Sequence, residues 1–398
     1  MSPRIPAAVP PPRQRRLVFV RRVLLAHENT ALEVHMPATV YYADTNSRSH
    51  EDSKIAKVAR LCDAVGLKKK IKKNDLTAVK LHFGEYGNDT YLNPALVRQV
   101  IDKICDAGGK PFLTDTATLY SGSRQNAVDH LHTAYLHGFA PSVVRAPIIL
   151  ADGLYGENDE AVRINGKHFE KVYIATEIRR APAMVVLSHF KGHEMAGFGG
   201  AVKNLAMGAA SVRGKREQHA TRVQIAEKTC IGCGKCVRVC PQKALGMHDK
   251  KSVLDPERCI GCFECITVCP EKAIGIDYAT EMEPFVERIA EYAYGAVKGK
   301  KKICYLNFVL NVTPDCDCVS WSDLPLVPDV GILASADPVA LDQACFDLVE
   351  QAPRLGRKKA KPGVDTFTAR WPETRGIVQL IHAETLGLGS RQYTLKKI

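Results

Sequence analysis

The chain has 398 residues, 45% hydrophobic and 25% charged, an ordinary balance for a globular protein of two or three domains. No apolar run approaches the roughly 18 residues of a membrane-spanning helix, so no membrane span is expected. The net charge of +12 is spread over basic runs at Lys68 to Lys73, Lys298 to Lys302 and Arg357 to Lys361, while aromatic residues make up only 7%. With no nucleic-acid motif beside them, these runs read as solvated loops and helix ends, and nucleic acid is not an expected partner.

Residues 1–35 differ in composition from the rest, with Pro10-Pro11-Pro12 and the pairs Arg15-Arg16 and Arg21-Arg22. The apolar stretch that follows, Val23 to Ala26, is shorter than the roughly 7–15 residues an export signal requires. The segment reads as a disordered tail, or as an extension ahead of a natural start at Met36.

From Met36 onward strands and helices alternate. Ala38 to Asp44 reads as a strand, and Ser53 as the N-cap of a helix that Gly66 ends. Thr77 to Phe83 is a second strand. Asn93 and Pro94 open a helix whose buried face is Leu96, Val97, Val100, Ile101 and Ile104, and Gly108-Gly109 stop it. Lys110 to Asp115 and Ala183 to Phe190 are further strands. Beyond residue 280, Met282, Phe285, Ile289, Ala293 and Val297 share a helix face, and Lys302 to Leu310 and Val330 to Ser335 are apolar strands. Strands separated by helices imply an α/β fold with a largely parallel sheet and helices on both faces.

Between these parts lie two cysteine runs 29 residues apart. Cys230, Cys233, Cys236 and Cys240 form one, and Cys259, Cys262, Cys265 and Cys269 the other. Each reads C-x2-C-x2-C-x3-C-P, the spacing that holds bacterial-type [4Fe–4S] clusters, in which the fourth cysteine ligates the other run's cluster. One cluster is therefore expected on Cys230, Cys233, Cys236 and Cys269, and a second on Cys259, Cys262, Cys265 and Cys240. Zinc sites use separated C-x2-C pairs, and disulfides need an oxidising compartment that nothing here indicates. The remaining thiols, Cys62, Cys105, Cys304, Cys316, Cys318 and Cys345, fit a reducing cytoplasm. The expected order is an extension (1–35), a first α/β part (36–223), an inserted tandem [4Fe–4S] ferredoxin-type domain (224–279) and a second α/β part (280–398), with three consecutive domains as the alternative.

The densest non-cysteine chemistry lies from Ser188 to Gly208. A strand ends there and runs through Gly192, Gly197, Gly199 and Gly200 toward a helix. The carboxyl ends of parallel strands are where such sheets bind ligands. Glycines let a ligand approach the backbone, and a following helix offers free N–H groups to an anion. Gly197, Gly199 and Gly200 are thus cofactor-binding candidates, and His193, Lys203 and His219 catalytic candidates. The competing reading is a glycine-rich turn, with Lys203 paired to Glu194 or Glu217 on the surface. His82 and Glu85, also beyond a strand, are weaker candidates for the same crevice. His130, His132 and His137 read as surface residues. Cys316 and Cys318, with Cys304 upstream, are either ligands of a further metal or thiols without a role. Asp337 reads as an N-cap and Asp342 as a residue facing the crevice.

These strings resemble the iron–sulfur-centre family built on domain of unknown function 362 with ferredoxin-type repeats. The resemblance rests on S-H-F-K-G-H-x-x-x-G-F-G-G-A-x-K-N-L-x-M-G, D-C-D-C, G-I-L-A-S-A-D-P-V-A-L-D-Q-A-C and both cysteine runs, from about Pro37 to the C-terminus. A shorter stretch is similar to the nickel-pincer lactate racemases. That resemblance implies Lys203 as the tether of a nickel cofactor, His219 as a nickel ligand and His193 as acid/base. The chain departs from it at Asn204 to Met207, where those enzymes place a proline.

Three functions are consistent with these readings. One is an oxidoreductase passing electrons through two [4Fe–4S] clusters to a substrate or an anionic cofactor in the α/β crevice, served by an electron-donor or acceptor protein. Another is a non-enzymatic electron-transfer or metallocentre-assembly protein. The third is a metal-cofactor enzyme of the racemase type.

Overall fold

Strands from both ends of the chain meet in one sheet. The computed structural model describes residues 37–120, 122–220, 223–259, 261, 263–276, 278–356 and 362–398. The extension 1–35 and the basic run Arg357 to Lys361 lie outside the described residues. The sheet has seven strands, in the order Tyr393–Lys397, Ala38–Asp44, Gly331–Ser335, Ile303–Val309, Ala183–His189, Leu76–Lys80 and Lys110–Thr114. Gly331–Ser335 runs antiparallel to both neighbours. Every other pairing in the sheet is parallel.

Ala183–His189 is buried at every position, as a strand covered on both faces must be. Its side chains alternate between two cores. Met184 and Val186 join helices Ala201–Ala206, Tyr278–Val297, Pro338–Gln351 and Gly376–Thr385. Ala183, Val185 and Leu187 face Lys54–Ala64 and Pro94–Asp106. The expected helix starts stand: Ser53, Asn93 and Asp337 each accept backbone N–H bonds from the first turn. Two features were not legible. Tyr393–Lys397 is a mostly exposed edge strand without an apolar run. Leu76–Lys80 stops three residues short of the expected Phe83, freeing His82 to leave the sheet plane.

The basic runs that can be placed do structural work. Lys70 Nζ donates to the Ile303 carbonyl, Lys300 to those of Arg179 and Ala181, and Lys302 pairs with Asp75 at 2.8 Å.

The cysteine-rich segment has a small core of its own, in which Cys236 and Cys265 pack with Val223, Leu245 and Ile274. Its first and last strands, Val223–Ile225 and Ile274–Ile276, pair antiparallel, so the chain enters and leaves at one place. The central strand Ala183–His189 has Ile303–Val309, from beyond this segment, as a neighbour. A fragment of residues 36–222 is therefore expected to expose a sheet edge and to lose cooperative unfolding in urea. A single sharp transition from a soluble fragment would show that the first part folds alone.

Candidate functional site

Parallel strands bring their carboxyl ends to one side, and the main cleft lies there. Leu76–Lys80 leads to His82 and Glu85, Lys110–Thr114 to Asp115 and Thr116, Ala183–His189 to His193, and Ile303–Val309 to Cys316 and Cys318. All of these residues line one cavity of about 520 Å³.

Of the residues expected from the sequence, His193, Lys203 and His219 line this cleft together, with Gly199 and Gly200. Gly197 does not. It takes φ +74°, where an added Cβ would meet the Gly376 backbone at 2.9 Å, so its role is the turn itself. The glycine-rich loop is anchored by Phe198, which packs against Phe190, Phe346 and Phe367 with centroids 5.3–5.6 Å away. The first two N–H groups of the following helix, Ala201–Ala206, are already taken. Asp342 accepts from Ala201 N at 2.7 Å, Val202 N at 2.9 Å and Asn307 Nδ2 at 2.6 Å, from the core side. Asp342 thus holds the loop from behind and does not face the crevice. A side chain at Gly200 would run into its carboxylate. Asp342→Ala would strand three buried donors, and a loss of about 3 kcal/mol in urea unfolding is expected. A loss below about 1 kcal/mol would mean that water replaces the carboxylate.

Asn204 ties the helix to the strand ends. Its Nδ2 donates to Leu187 O and Ser188 Oγ, both at 3.0 Å, and its Oδ1 accepts from Lys80 Nζ at 2.7 Å. Lys80 is fully buried and pairs with Asp115 at 3.0 Å. Burial pulls the Lys80 ammonium down, with Asp115 opposing. The Asp115 carboxyl is likewise pushed up by burial, but Lys80 and its other cationic neighbours bring it to about 2.

The three expected catalytic side chains differ in readiness. His193 Nδ1 accepts from Met195 N and Ala196 N, both at 3.1 Å, which leaves the ring proton on Nε2. Burial, and then Lys203, hold it well below the ordinary histidine range, so it is a neutral donor. The same two effects lower His219 to about 3, and its buried Nδ1 has no partner. Among the described residues Lys203 Nζ makes no hydrogen bond or ion pair, so the expected alternative of a surface pair with Glu194 or Glu217 does not occur. Burial lowers Lys203, yet Cys316, Cys318 and Glu194 raise it overall. Glu194 is raised to about 7 by desolvation in the cleft, although its side chain is 39% exposed; its Oε2 makes no hydrogen bond and lies 3.6 Å from His193 Nδ1.

His82 and Glu85 belong to the cleft through a residue the sequence did not mark. Arg124 is 2% exposed and contacts Glu85 Oε2 at 2.9 Å, His82 Nε2 at 2.9 Å and the Tyr120 hydroxyl at 3.0 Å. It lies in S-G-S-R-Q-N, which reads as an exposed loop. Lys191 and Lys215 also line the cleft without a mark in the sequence, and Asp317, the acid between Cys316 and Cys318, serves the turn. Asp317 accepts from His189 Nδ1 at 3.0 Å and Lys191 Nζ at 2.6 Å, and its carbonyl accepts from Glu85 N. Those bonds pin the D-C-D-C turn to the sheet. Cys304 is not part of that group; it lies in the core with Cys62. His130 and His137 are buried, not on the surface as expected. His130 is 0% exposed, 3.8 Å from Asp115, and His137 is buried with Nδ1 on Phe83 O, because the helix Ala127–Leu136 turns that side inward. His132 is exposed.

The cysteine runs border two small cavities. Cys230, Cys233, Cys236 and Cys269 line one. Cys240, Cys259 and Cys265 line the other, and Cys262 lies outside the described residues. In each run the last cysteine accepts an N–H from the alanine four residues on, Ala244 to Cys240 and Ala273 to Cys269, both at 3.2 Å. Among the described residues, no three His, Cys, Asp or Glu side chains are placed to hold a metal ion. Also among them, no helix is long and apolar enough to cross a membrane.

The model of a domain of unknown function, DUF362, matches residues 77–347. The chain belongs to the DUF362 family. The matched span holds the cleft residues named above and both cysteine runs. No curated protein matches the chain. Among solved structures, the lactate racemase apoprotein from Thermoanaerobacterium thermosaccharolyticum is similar at 15% identity and a TM-score of 0.36, over 69% of this chain and 51% of that one. A Thermotoga maritima protein is similar at 13% identity and a TM-score of 0.37, over 73% of this chain and 57% of that one. The chain thus spans little more than half the length of either, and these likenesses say nothing about the DUF362 chain's activity.

Proposed function

We propose that this chain is an iron–sulfur oxidoreductase that acts on a small anionic ligand in the cleft. The cofactors are two [4Fe–4S] clusters, one on Cys230, Cys233, Cys236 and Cys269, the other on Cys259, Cys262, Cys265 and Cys240. The residues fit such groups. The crossed sets of the spacing rule are the sets that border the two cavities, as far as they are described. A zinc ion would need its sulfurs around one point, whereas a cubane spreads them over its corners. When bound, the clusters would supply electrons one at a time.

The observation that carries this reading is Phe263. It lines the cavity of Cys240, Cys259 and Cys265, and it also lines the cleft, beside Glu264 and Thr267. Its ring lies edge-on to His219 with centroids 5.7 Å apart. The second cysteine cavity is therefore the inner one. The first is the outer one, with Cys233 exposed and Ile231 62% exposed, where an electron-donor or acceptor protein would dock. In the cleft Lys203 would hold the anion. His193 would donate Nε2–H to it, and Glu194, poised near 7, would give up or take a proton.

The test is anaerobic purification with iron and sulfide analysis, EPR of the reduced protein and native mass spectrometry. About eight irons per chain and a spin-coupled pair of signals are expected. Zinc in place of iron would overturn the reading. A metal-cofactor enzyme tethered at Lys203 is favoured by one observation, the unpartnered His219 Nδ1. Nickel retained alongside the iron would select it. Shared access to one cleft argues against the docking-only alternative.

A further inference from the structure

The cleft holds a pair of thiols that the proposed chemistry leaves unused. Cys316 and Cys318 both line it, while Asp317 between them is turned away and clamped by His189 and Lys191. The two thiols stand two residues apart on one turn, and neither is in a disulfide. Cys318 Sγ lies 3.5 Å from His82 Nε2, and Arg124 flanks that same nitrogen at 2.9 Å. Cys316 is 4% exposed and Cys318 more open, as in a pair with one buried and one reachable sulfur. The other cysteines near the sheet, Cys62, Cys304 and Cys345, are buried in the cores and touch no cavity described above.

We propose that Cys316 and Cys318 form a reversible dithiol–disulfide couple that stores two electrons within the cleft. The proposal rests on the iron–sulfur reading for its electron source and on the geometry of the turn for the couple itself. Two one-electron donors suit a two-electron store. Reduction breaks the Sγ–Sγ bond, takes one electron from each reduced [4Fe–4S] cluster and takes one proton from cleft water onto Cys316. The products are a Cys316 thiol, a Cys318 thiolate and two clusters oxidised by one electron each. Re-oxidation would be the reverse: one electron passes back to each oxidised cluster, Cys316 releases its proton to cleft water and the Sγ–Sγ bond re-forms. The surroundings favour that asymmetric product. The neighbouring Cys316 thiol holds the Cys318 thiol well below its ordinary range, with His82 and Lys203 assisting against burial. Asp317 fixes the turn from the opposite side, which leaves both cysteines on the cleft.

The experiment uses the full chain as purified anaerobically. It is poised in oxidised and reduced dithiothreitol mixtures, acid-quenched, unfolded, alkylated and peptide-mapped by mass spectrometry. As the potential rises, the peptide with Cys316 and Cys318 is expected to pass from doubly alkylated to unalkylated, about 2 Da lighter than its free dithiol, following a two-electron Nernst curve. Dithionite titration should take up about four electrons per chain, falling to about two in Cys316→Ser and in Cys318→Ser with iron content unchanged. Uptake of about two electrons in the wild type, unchanged in either variant, overturns the couple. Uptake of about two in the wild type and none in the variants supports the couple and overturns the cluster reading instead. Thiols that alkylate at every potential, or only after a chelator is added, overturn the couple, the latter in favour of a bound metal.

Discussion

Cys240→Ser is expected to cut the iron content from about eight to about four atoms per chain, and to remove the cluster beside Cys259 and Cys265. Cys240 leaves its own run at the C-x3-C step and borders the other run's cavity, while Cys269 does the reverse. Paired variants make the crossing measurable. Cys240→Ser with Cys233→Ser should leave almost no iron, because each removes a different cluster. Cys240→Ser with Cys259→Ser should still leave about four atoms, since both act on one. EPR of the reduced single variant should show one uncoupled centre in place of a coupled pair. If the Cys233 and Cys259 pairings gave the opposite result, the ligand sets would be those of the separate runs.

Lys203→Ala is expected to weaken anion binding by about 10- to 100-fold while leaving the iron content unchanged. The range follows from about 1.5–3 kcal/mol for a buried charged hydrogen bond. Acetate and inorganic phosphate are suitable probes by calorimetry on the clustered protein. Among the described cleft cations Lys203 makes no hydrogen bond or ion pair, whereas Lys191 is paired with Asp317, and Lys80 behind the cleft with Asp115. Binding should also depend on pH through Glu194. Its carboxyl is raised to about 7 by desolvation in the cleft, so it is neutral below that pH and negative above it. Anion affinity should therefore fall as the pH rises through about 7, and Glu194→Gln should flatten the profile. Equal affinity in wild type and Lys203→Ala would move the anion site elsewhere in the cleft.

The cysteine spacing could be read without a structure because the ligation proposed for three of each four thiolates is local to one short run. Helix starts at Ser53, Asn93 and Asp337 were legible for the same reason, since each cap bonds its own first turn. His193, Lys203 and Gly199 could be grouped because they follow one strand within a short stretch. What no short stretch contains is the side of the sheet on which a distant strand ends. Arg124 became a cleft residue only when Leu76–Lys80 and Lys110–Thr114 paired in parallel. Asp342 looked like a crevice residue, but the helix Pro338–Gln351 packs beneath the glycine loop, and its carboxylate occupies the N–H groups that an anion would have used. Cys316 and Cys318 had no assignable role until Ile303–Val309 lined up beside Ala183–His189 and carried the turn after it to the same edge. Local spacing thus determined which cysteines are proposed to hold iron and where helices begin. Strand order and direction, which depend on burying both faces of one sheet, decided which reactive groups share the cleft.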